Sequence, residues 1–285
     1  MDMQLAVSSY SYSRLVSTGA LKAGDVMKKA KEMGFSGIEY AGLWVPEGMT
    51  PVAYAKELAA EAQALGMTIT GYSVGGNFLC ADPEAEAERL KKEVDVAYAL
   101  GAKRMRHDIC YGPLPGGYRS FEKNLPILIK GARSVTEYAK ELGIQTMVEN
   151  HGFFCQDSHR VEMLIDGVNS DNYGALIDLG NFLCADEDPG RAVGVLKSYA
   201  FSVHCKDFYY HDGETEPKGS NWIFTRGGNY IKGAAVGDGI VPVAKCLRIL
   251  RASGYDGPVA IEYEGAEDPI ASIAAGRDYV QRLIG

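Results

Sequence analysis

The sequence predicts a single α/β domain, a (β/α)8 TIM barrel that covers residues 1–285. Short apolar runs alternate eight times with longer segments of helical spacing, and no linker-like stretch divides the chain. The last four apolar runs each lead into a side chain that can bind a metal. A buried parallel strand reads as a continuous apolar run, and the site of a barrel lies where its strands end. The sequence therefore predicts both the architecture and the location of its chemistry.

The first four predicted strands cover residues 4–8, 37–40, 67–74 and 103–109. Their helices are predicted over residues 25–34, 51–65 and 82–101 and within 118–143. Gly34 and Gly66 suit the position just after a helix, because glycine adopts a left-handed conformation readily. Asp82 followed by Pro83 is typical of a helix start, with a capping carboxylate and a proline in the first turn. These signals divide the first half of the chain into four β/α units.

The last four predicted strands end at residues 149, 178, 204 and 262, and their helices cover 157–168, 188–199, 241–254 and 268–283. The alternative to a barrel is a doubly wound open sheet. That alternative is disfavoured in its nucleotide-binding forms, because the first strand is not followed by G-x-G-x-x-G and the chain has no P-loop.

The composition is that of a globular protein, with 46% hydrophobic and 23% charged residues. The net charge of −8 provides no basic field for phosphate backbones, so a nucleic-acid partner is not expected. No apolar run approaches the roughly 20 residues that span a bilayer, so no membrane location is expected. The six cysteines form no C-x-x-C pair and no leader-like segment is recognised, which favours a cytoplasmic location. The oligomeric state stays open, a homo-oligomer included.

Four consecutive strands deliver ligand-type side chains to one rim: Glu149, Asp178, His204 and Glu262. A single glutamate or histidine at a strand end is more often a structural group, but buried carboxylates without a partner are strongly penalised. Four in succession therefore predict one divalent metal ion. Three carboxylates and an imidazole suit Mn²⁺ first, with Mg²⁺, Co²⁺ and Zn²⁺ as alternatives.

The order of these ligands predicts a mechanism. The fifth and eighth strands flank the sixth and seventh, so Glu149 and Glu262 would lie on opposite faces of a bound substrate. Such a pair can remove a proton next to a carbonyl from one face and return it from the other. Glu149 and Glu262 are therefore predicted to be catalytic as well as metal ligands. Glu264 shares the direction of Glu262, but Glu262 follows the apolar run directly.

Four further residues are predicted to bind substrate. Side chains alternate along a strand, so His151 and Lys206 share the direction of the ligand two residues before each of them. Arg226 lies between glycines in a long connection, residues 207–240, which shows no obvious secondary structure and is typical of a lid or binding loop. Asn181 belongs to a heptapeptide that occurs at both 76–82 and 180–186, either as a reused connection or as a shared substrate contact.

With these residues the sequence resembles the xylose isomerase-like TIM barrels, the sugar phosphate isomerase/epimerase superfamily. The resemblance covers nearly the whole chain and rests on Val-Glu-Asn-His-Gly, Ile-Asp-Leu-Gly-Asn, Val-His-Cys-Lys-Asp and Ile-Glu-Tyr-Glu-Gly, which contain the four predicted ligands. The Gly237-Asp238-Gly239-Ile240 turn is also similar to a family segment. The resemblance implies one metal held by Glu149, Asp178, His204 and Glu262 and a carbohydrate or cyclitol as substrate.

The sequence departs from the ketose 3-epimerases of that family at Asn181, where those enzymes have a histidine in Asp-x-x-His. Two enzyme classes therefore stay open. The first is a metal-dependent sugar isomerase or epimerase that works through an enediolate. The second is a lyase, dehydratase or deglycosidase that acts on a keto-sugar or cyclitol with the same metal centre. An abasic-site endonuclease is disfavoured, because the three-zinc centre of that enzyme needs many more histidines than the five present here.

Overall fold

The computed structural model describes residues 3–285, and eight parallel strands close into a barrel within that range. The fold class predicted from the sequence is confirmed. The barrel strands are β1 (Gln4–Ser8), β2 (Gly37–Ala41), β3 (Thr68–Val74), β4 (Arg104–His107), β5 (Gln145–Glu149), β6 (Tyr173–Asp178), β7 (Ala200–Cys205) and β11 (Pro258–Ile261).

The barrel closes by pairing its first strand with its last, Leu5 opposite Val259 in parallel register. Each of the other strands pairs with its neighbours in chain order. Strands β5, β6 and β11 are buried over nearly their whole length, which explains their continuous apolar sequences. The carboxyl ends of all eight strands therefore open on one rim.

The helices form the outer layer of the molecule. They are α1 (Ser13–Ser17), α2 (Val26–Glu32), α3 (Pro51–Leu65), α4 (Pro83–Leu100), α5 (Phe121–Glu141), α6 (Ser158–Val168), α7 (Pro189–Leu196), α8 (Val243–Ala252) and α9 (Pro269–Ile284). The helix starts agree with the sequence signals, since Asp82, Asp188 and Asp268 accept a backbone amide in front of a proline at the first turn. None of the helices within residues 3–285 is long and apolar enough to cross a membrane.

The long connection between residues 207 and 240 contains a small antiparallel sheet, so the expectation of a segment without secondary structure is wrong. Strand β10 (Tyr230–Ala234) pairs with both β8 (Asp207–His211) and β9 (Ile223–Phe224). Phe208 and Ile231 are completely buried and pack beneath this sheet. The connection is thus a folded subdomain on the rim rather than a loose loop.

Candidate metal centre and active site

Three ligand-type side chains meet at the carboxyl ends of adjacent strands. Glu149 ends β5, Asp178 ends β6 and His204 lies in β7, and one potential ligand atom from each lies within 4.8 Å of the others. The register explains this meeting, because Asp178 pairs directly with His204. All three residues are buried.

Glu262 joins these residues from the end of β11, with its Oε2 2.8 Å from Nδ1 of His204. The pair is close but not aligned as a hydrogen bond, and Nδ1 of His204 and Oδ2 of Asp178 are both buried without a hydrogen-bond partner. Buried polar atoms are almost always paired, so two orphans facing each other need a further partner. A divalent cation fits Glu149, Asp178, His204 and Glu262, since they offer carboxylate oxygens and an imidazole nitrogen.

The second nitrogen of His204 is fixed by a residue that the sequence analysis missed. Nε2 lies 3.0 Å from both carboxylate oxygens of Glu39 in β2, and the hydroxyl of Ser73 also donates to Glu39 at 2.9 Å. A histidine that binds a metal commonly donates its other N–H to a carboxylate, which sets the tautomer. Glu39 therefore leaves Nδ1 free to act as the ligand atom.

Glu149 is held on both oxygens. Asn181 donates its amide to Oε1 at 3.0 Å, and Arg106 forms an ion pair with Oε2. Arg106 also pairs with Asp108 at 2.8 Å. These contacts fix the orientation of the Glu149 carboxylate. Asn181 thus contacts a ligand carboxylate, and a role as direct substrate contact stays a prediction.

Lys206 lies inside the ring of carboxylates. Its Nζ is 2.7 Å from Glu262, 3.4 Å from Asp178 and 3.4 Å from Glu264, and it is almost completely buried. Burial would lower the pKa of Lys206, but these carboxylates hold it well above its usual range. Lys206 is therefore a cation at the centre of the site. Glu264 is the more exposed of the two β11-end glutamates and contacts Lys206 rather than His204.

Two acids of the centre differ in their affinity for protons. Burial raises the pKa of Asp178 to about 6, although Lys206 limits the rise. Burial would also raise the pKa of Glu262, but Lys206 and His204 hold it well below its usual range. The site thus keeps Glu262 ionised, which is the form that a metal ligand requires.

His151 extends from the end of β5 toward the solvent and is partly exposed. Its Nδ1 lies 2.9 Å from Asp108, which also accepts a hydrogen bond from Tyr111 at 2.9 Å. Burial would raise the pKa of Asp108, but Arg106 and His151 hold it below its usual range. The imidazole therefore stands at the edge of the cavity without joining the ligand set.

Arg226 lies in the rim subdomain, and its predicted substrate contact stays a prediction. Its guanidinium donates to the carboxylate of Asp157 at 2.8 Å and to the carbonyl of Phe153. It is not among the residues that line the cavity above the ligands. These contacts make Arg226 an anchor of the rim subdomain, because they tie residues 207–240 to the start of α6.

An open cavity of about 790 Å³ lies above the ligand set, and its floor includes Glu149, His204, Lys206 and Glu262. The cavity extends over the ends of β2, β3 and β4. Sites of roughly 300–1,000 Å³ hold small organic ligands, so a carbohydrate fits.

The missed residues Glu39 and Arg106 carried a signal of their own. Each is a charged side chain in the middle of a predicted strand, in Gly-Ile-Glu-Tyr and in Arg-Met-Arg-His. A charge inside a buried strand requires a partner. The sequence shows that a partner is needed, but only the closed barrel shows which residue it is.

The second copy of the repeated heptapeptide does not act like the first. Asn181 contacts Glu149, whereas Asn77 uses its side chain to accept the backbone amide of Leu79 at 3.1 Å. The residues of the second copy form a short 3-10 helix, Asn181–Ala185. The two copies thus have the same sequence and both follow a barrel strand, but their asparagines make different contacts.

Comparison with known proteins agrees with the fold. The family model of the xylose isomerase-like TIM barrel matches residues 27–283. L-ribulose-5-phosphate 3-epimerase UlaE of Escherichia coli O1:K1 is 32% identical over 106 residues, which are 36% of this chain and 31% of the relative. The match thus spans about a third of the length of that curated relative.

Two solved structures share the architecture over nearly the whole chain. The probable 3-DHS dehydratase AsbF of Bacillus anthracis has a TM-score of 0.75 at 17% identity, with 98% of this chain and 99% of that chain covered. A xylose isomerase-like TIM barrel protein of Mycobacterium smegmatis in complex with magnesium has a TM-score of 0.73 at 18% identity, with 99% and 96% covered. At this identity the likeness shows the fold alone. With its family model matched over residues 27–283, the chain belongs to the xylose isomerase-like TIM barrel family.

Proposed function

We propose that this protein is a divalent-metal-dependent sugar isomerase or epimerase that moves a proton next to a carbonyl. The observation that carries the proposal is the clustering of Glu149, Asp178, His204 and Glu262 beneath an open cavity. Within this cluster, Oδ2 of Asp178 and Nδ1 of His204 are buried without a hydrogen-bond partner. The similarity to a sugar-phosphate 3-epimerase over part of the chain supports the same reaction class. The donor set favours Mn²⁺, with Mg²⁺, Co²⁺ and Zn²⁺ as alternatives.

A divalent ion held by these four residues would polarise a substrate carbonyl, an effect typically worth several kcal/mol. The chain's own groups then divide the proton chemistry. Glu149 approaches from β5 and Glu262 from β11, with β6 and β7 between them, so each can face a different side of a sugar carbon. One glutamate, ionised, would take the α-proton, and the other, protonated at the start, would give its own proton to the opposite face. Each positioned acid or base typically contributes on the order of 10²–10⁴ in rate.

The neighbouring cations prepare these glutamates for their roles. Lys206 keeps Glu262 ionised, and Arg106 together with Asn181 orients Glu149. His151 reaches the cavity edge and would donate to, or accept from, a substrate hydroxyl. An enediolate formed on proton removal is negatively charged, and Lys206 and Arg106 are the two cations placed beside it.

A second candidate function is a lyase or dehydratase that acts on a keto-sugar or cyclitol. The buried ammonium of Lys206, 2.7 Å from Glu262, favours it, because it could stabilise a departing oxygen after α-proton removal. This chain also has Asn181 at the position where the ketose 3-epimerases that it resembles have a histidine. Elimination changes the product mass and epimerisation does not, so mass spectrometry separates the two.

The test replaces each glutamate in turn by glutamine, which keeps one coordinating oxygen but cannot accept a proton. We expect Glu149→Gln and Glu262→Gln to retain much of the bound metal and to lose about 10²–10⁴ in turnover. Deuterium incorporation in D₂O, followed by NMR with ketoses, inososes and 3-keto-glycosides plus Mn²⁺, identifies the substrate carbon. For epimerisation, each variant should still exchange the α-proton that faces its surviving glutamate.

Glu264→Gln is the matched control, because it makes the same chemical change two residues beyond Glu262 without touching His204. It should lower turnover by less than tenfold. Wild-type exchange rates in both Glu149→Gln and Glu262→Gln would refute their assignment and point to His151 as the proton acceptor.

A further inference from the structure

We propose, on the basis of the proposed function, that the substrate of this site is a carbohydrate without a phosphate group. The cavity lining is the first reason. It contains six glutamates but only three permanent cations, which are Arg89, Arg106 and Lys206. A phosphate ester carries about two negative charges near neutral pH and needs cations or backbone amides to replace its water.

Each lining cation is already committed to carboxylates. Arg89 donates to Glu86 at 2.8 Å and to the carbonyl of Gly75 at 2.7 Å, and it also pairs with Glu93 at 3.6 Å. Arg106 is bound by Glu149 and Asp108, and Lys206 by Glu262, Asp178 and Glu264. Among the described residues of the lining, no cation is left over for a phosphate.

Three backbone amides in the loop after the seventh strand are occupied as well. In many barrels phosphate binds to the loops after the seventh and eighth strands. In the loop after the seventh strand, the carboxylate of Asp207 accepts from the amides of Gly237 at 2.9 Å, Gly239 at 3.0 Å and Val241 at 2.9 Å. A Cβ on Gly239 would lie 2.1 Å from Asp207, so the loop is fitted around this internal anion.

The helix N-terminus that borders the cavity has few backbone amides left for an anion. Helix α3 begins at Pro51, which lines the cavity but has no N–H to donate. The hydroxyl of Thr50 accepts the amide of Ala53 at 3.2 Å. A phosphate placed there would lose its hydrogen bonds to water and would not gain hydrogen bonds from Pro51 or Ala53 in return. The lining thus selects against phosphorylated sugars and leaves room for neutral hydroxyl groups.

The experiment measures binding of L-ribulose and L-ribulose 5-phosphate to the Mn²⁺-loaded protein by isothermal titration calorimetry. We expect the phosphate ester to bind at least tenfold more weakly than the free sugar. The double variant Glu86→Gln/Glu93→Gln should lower the ratio of the two dissociation constants, phosphate ester to free sugar, at least tenfold. The reason is that it removes the two negative charges that pair with Arg89. Glutamine keeps the acceptor oxygens used by the amide of Asn77 and the hydroxyl of Tyr72.

The matched control is Glu84→Gln/Glu88→Gln, which removes the same charge from the same helix outside this cavity. It should leave the ratio unchanged. Tighter binding of the phosphate ester by the wild type, or equal ratios in the two double variants, would overturn the inference. α-Proton exchange in D₂O is recorded on the same samples. If neither sugar nor any panel compound exchanges while the binding order holds, the proposed function fails, and only the preference of the cavity for unphosphorylated sugars stands.

Discussion

The contact between Glu39 and His204 makes a sharp prediction about metal affinity. Both oxygens of Glu39 lie 3.0 Å from Nε2 of the imidazole, and both side chains are buried. Glu39→Gln removes the charge and turns an N–H donor toward Nε2, which favours a proton on Nδ1, where the ligand lone pair is needed. Loss of such a supporting carboxylate typically weakens metal binding by about 10–100-fold. That range equals about 1.4–2.8 kcal/mol.

The assay is competition for Mn²⁺ against a chelator of known affinity, with free Mn²⁺ followed by electron paramagnetic resonance. Ser73→Ala is the matched control, because it removes one hydrogen bond to Glu39 but leaves the carboxylate on His204. It should weaken binding far less than Glu39→Gln does. A thermal melt of each metal-free variant checks that the barrel is intact. A Glu39→Gln Kd within twofold of the wild type would refute the tautomer argument.

Two further predictions concern stability. Gly131→Ala should destabilise the protein by about 1–3 kcal/mol in urea unfolding, because the new Cβ would lie 2.3 Å from the ring of Phe78. The control is Gly194→Ala, whose new Cβ would meet nothing within 4 Å and which should be neutral or stabilising. Equal effects of the two substitutions would contradict the packing argument. Asp108→Asn should cost about 1–3 kcal/mol near neutral pH, because it leaves buried Arg106 without one partner. The folded-state pKa of Asp108 is depressed, so its contribution exists above the unfolded pKa of about 3.9 and is lost as pH falls through the folded value. The wild-type and Asp108→Asn curves should therefore converge in acid, and a constant gap would show that Asp108 does not act through its charge.

The sequence was sufficient for the barrel because each unit carries a local signal. An apolar run, an acidic cap before proline and a closing glycine predicted β3 and α4 to within one residue of their observed bounds. The small sheet at residues 207–240 carried no such signal. Its strands β8 and β10 are separated by residues 212–229, and β9 has only two residues, so their pairing depends on contacts that no local pattern reveals.

The residues of the site also fall into two groups, those that local sequence patterns could predict and those that they could not. The four ligand candidates could be named because each ends an apolar strand at the rim. The residues that orient them could not, since Glu39 meets His204 across 165 positions of sequence. Arg226 also has a partner that the sequence did not reveal, because its guanidinium pairs with Asp157 across 69 positions. A local pattern predicts which residues are charged at the rim, but not which partner neutralises them.

The pairing of β1 with β11 has a consequence for how the molecule is made. Gln4 pairs with Pro258, so the first strand keeps an open edge until almost the whole chain has been synthesised. At about 5–20 residues per second, that interval is roughly 10–50 s. Unpaired strand edges invite aggregation, and contacts so distant in sequence slow folding. Glu262 arrives with this last strand, so a nascent chain that stops before it has neither a closed barrel nor a complete ligand set.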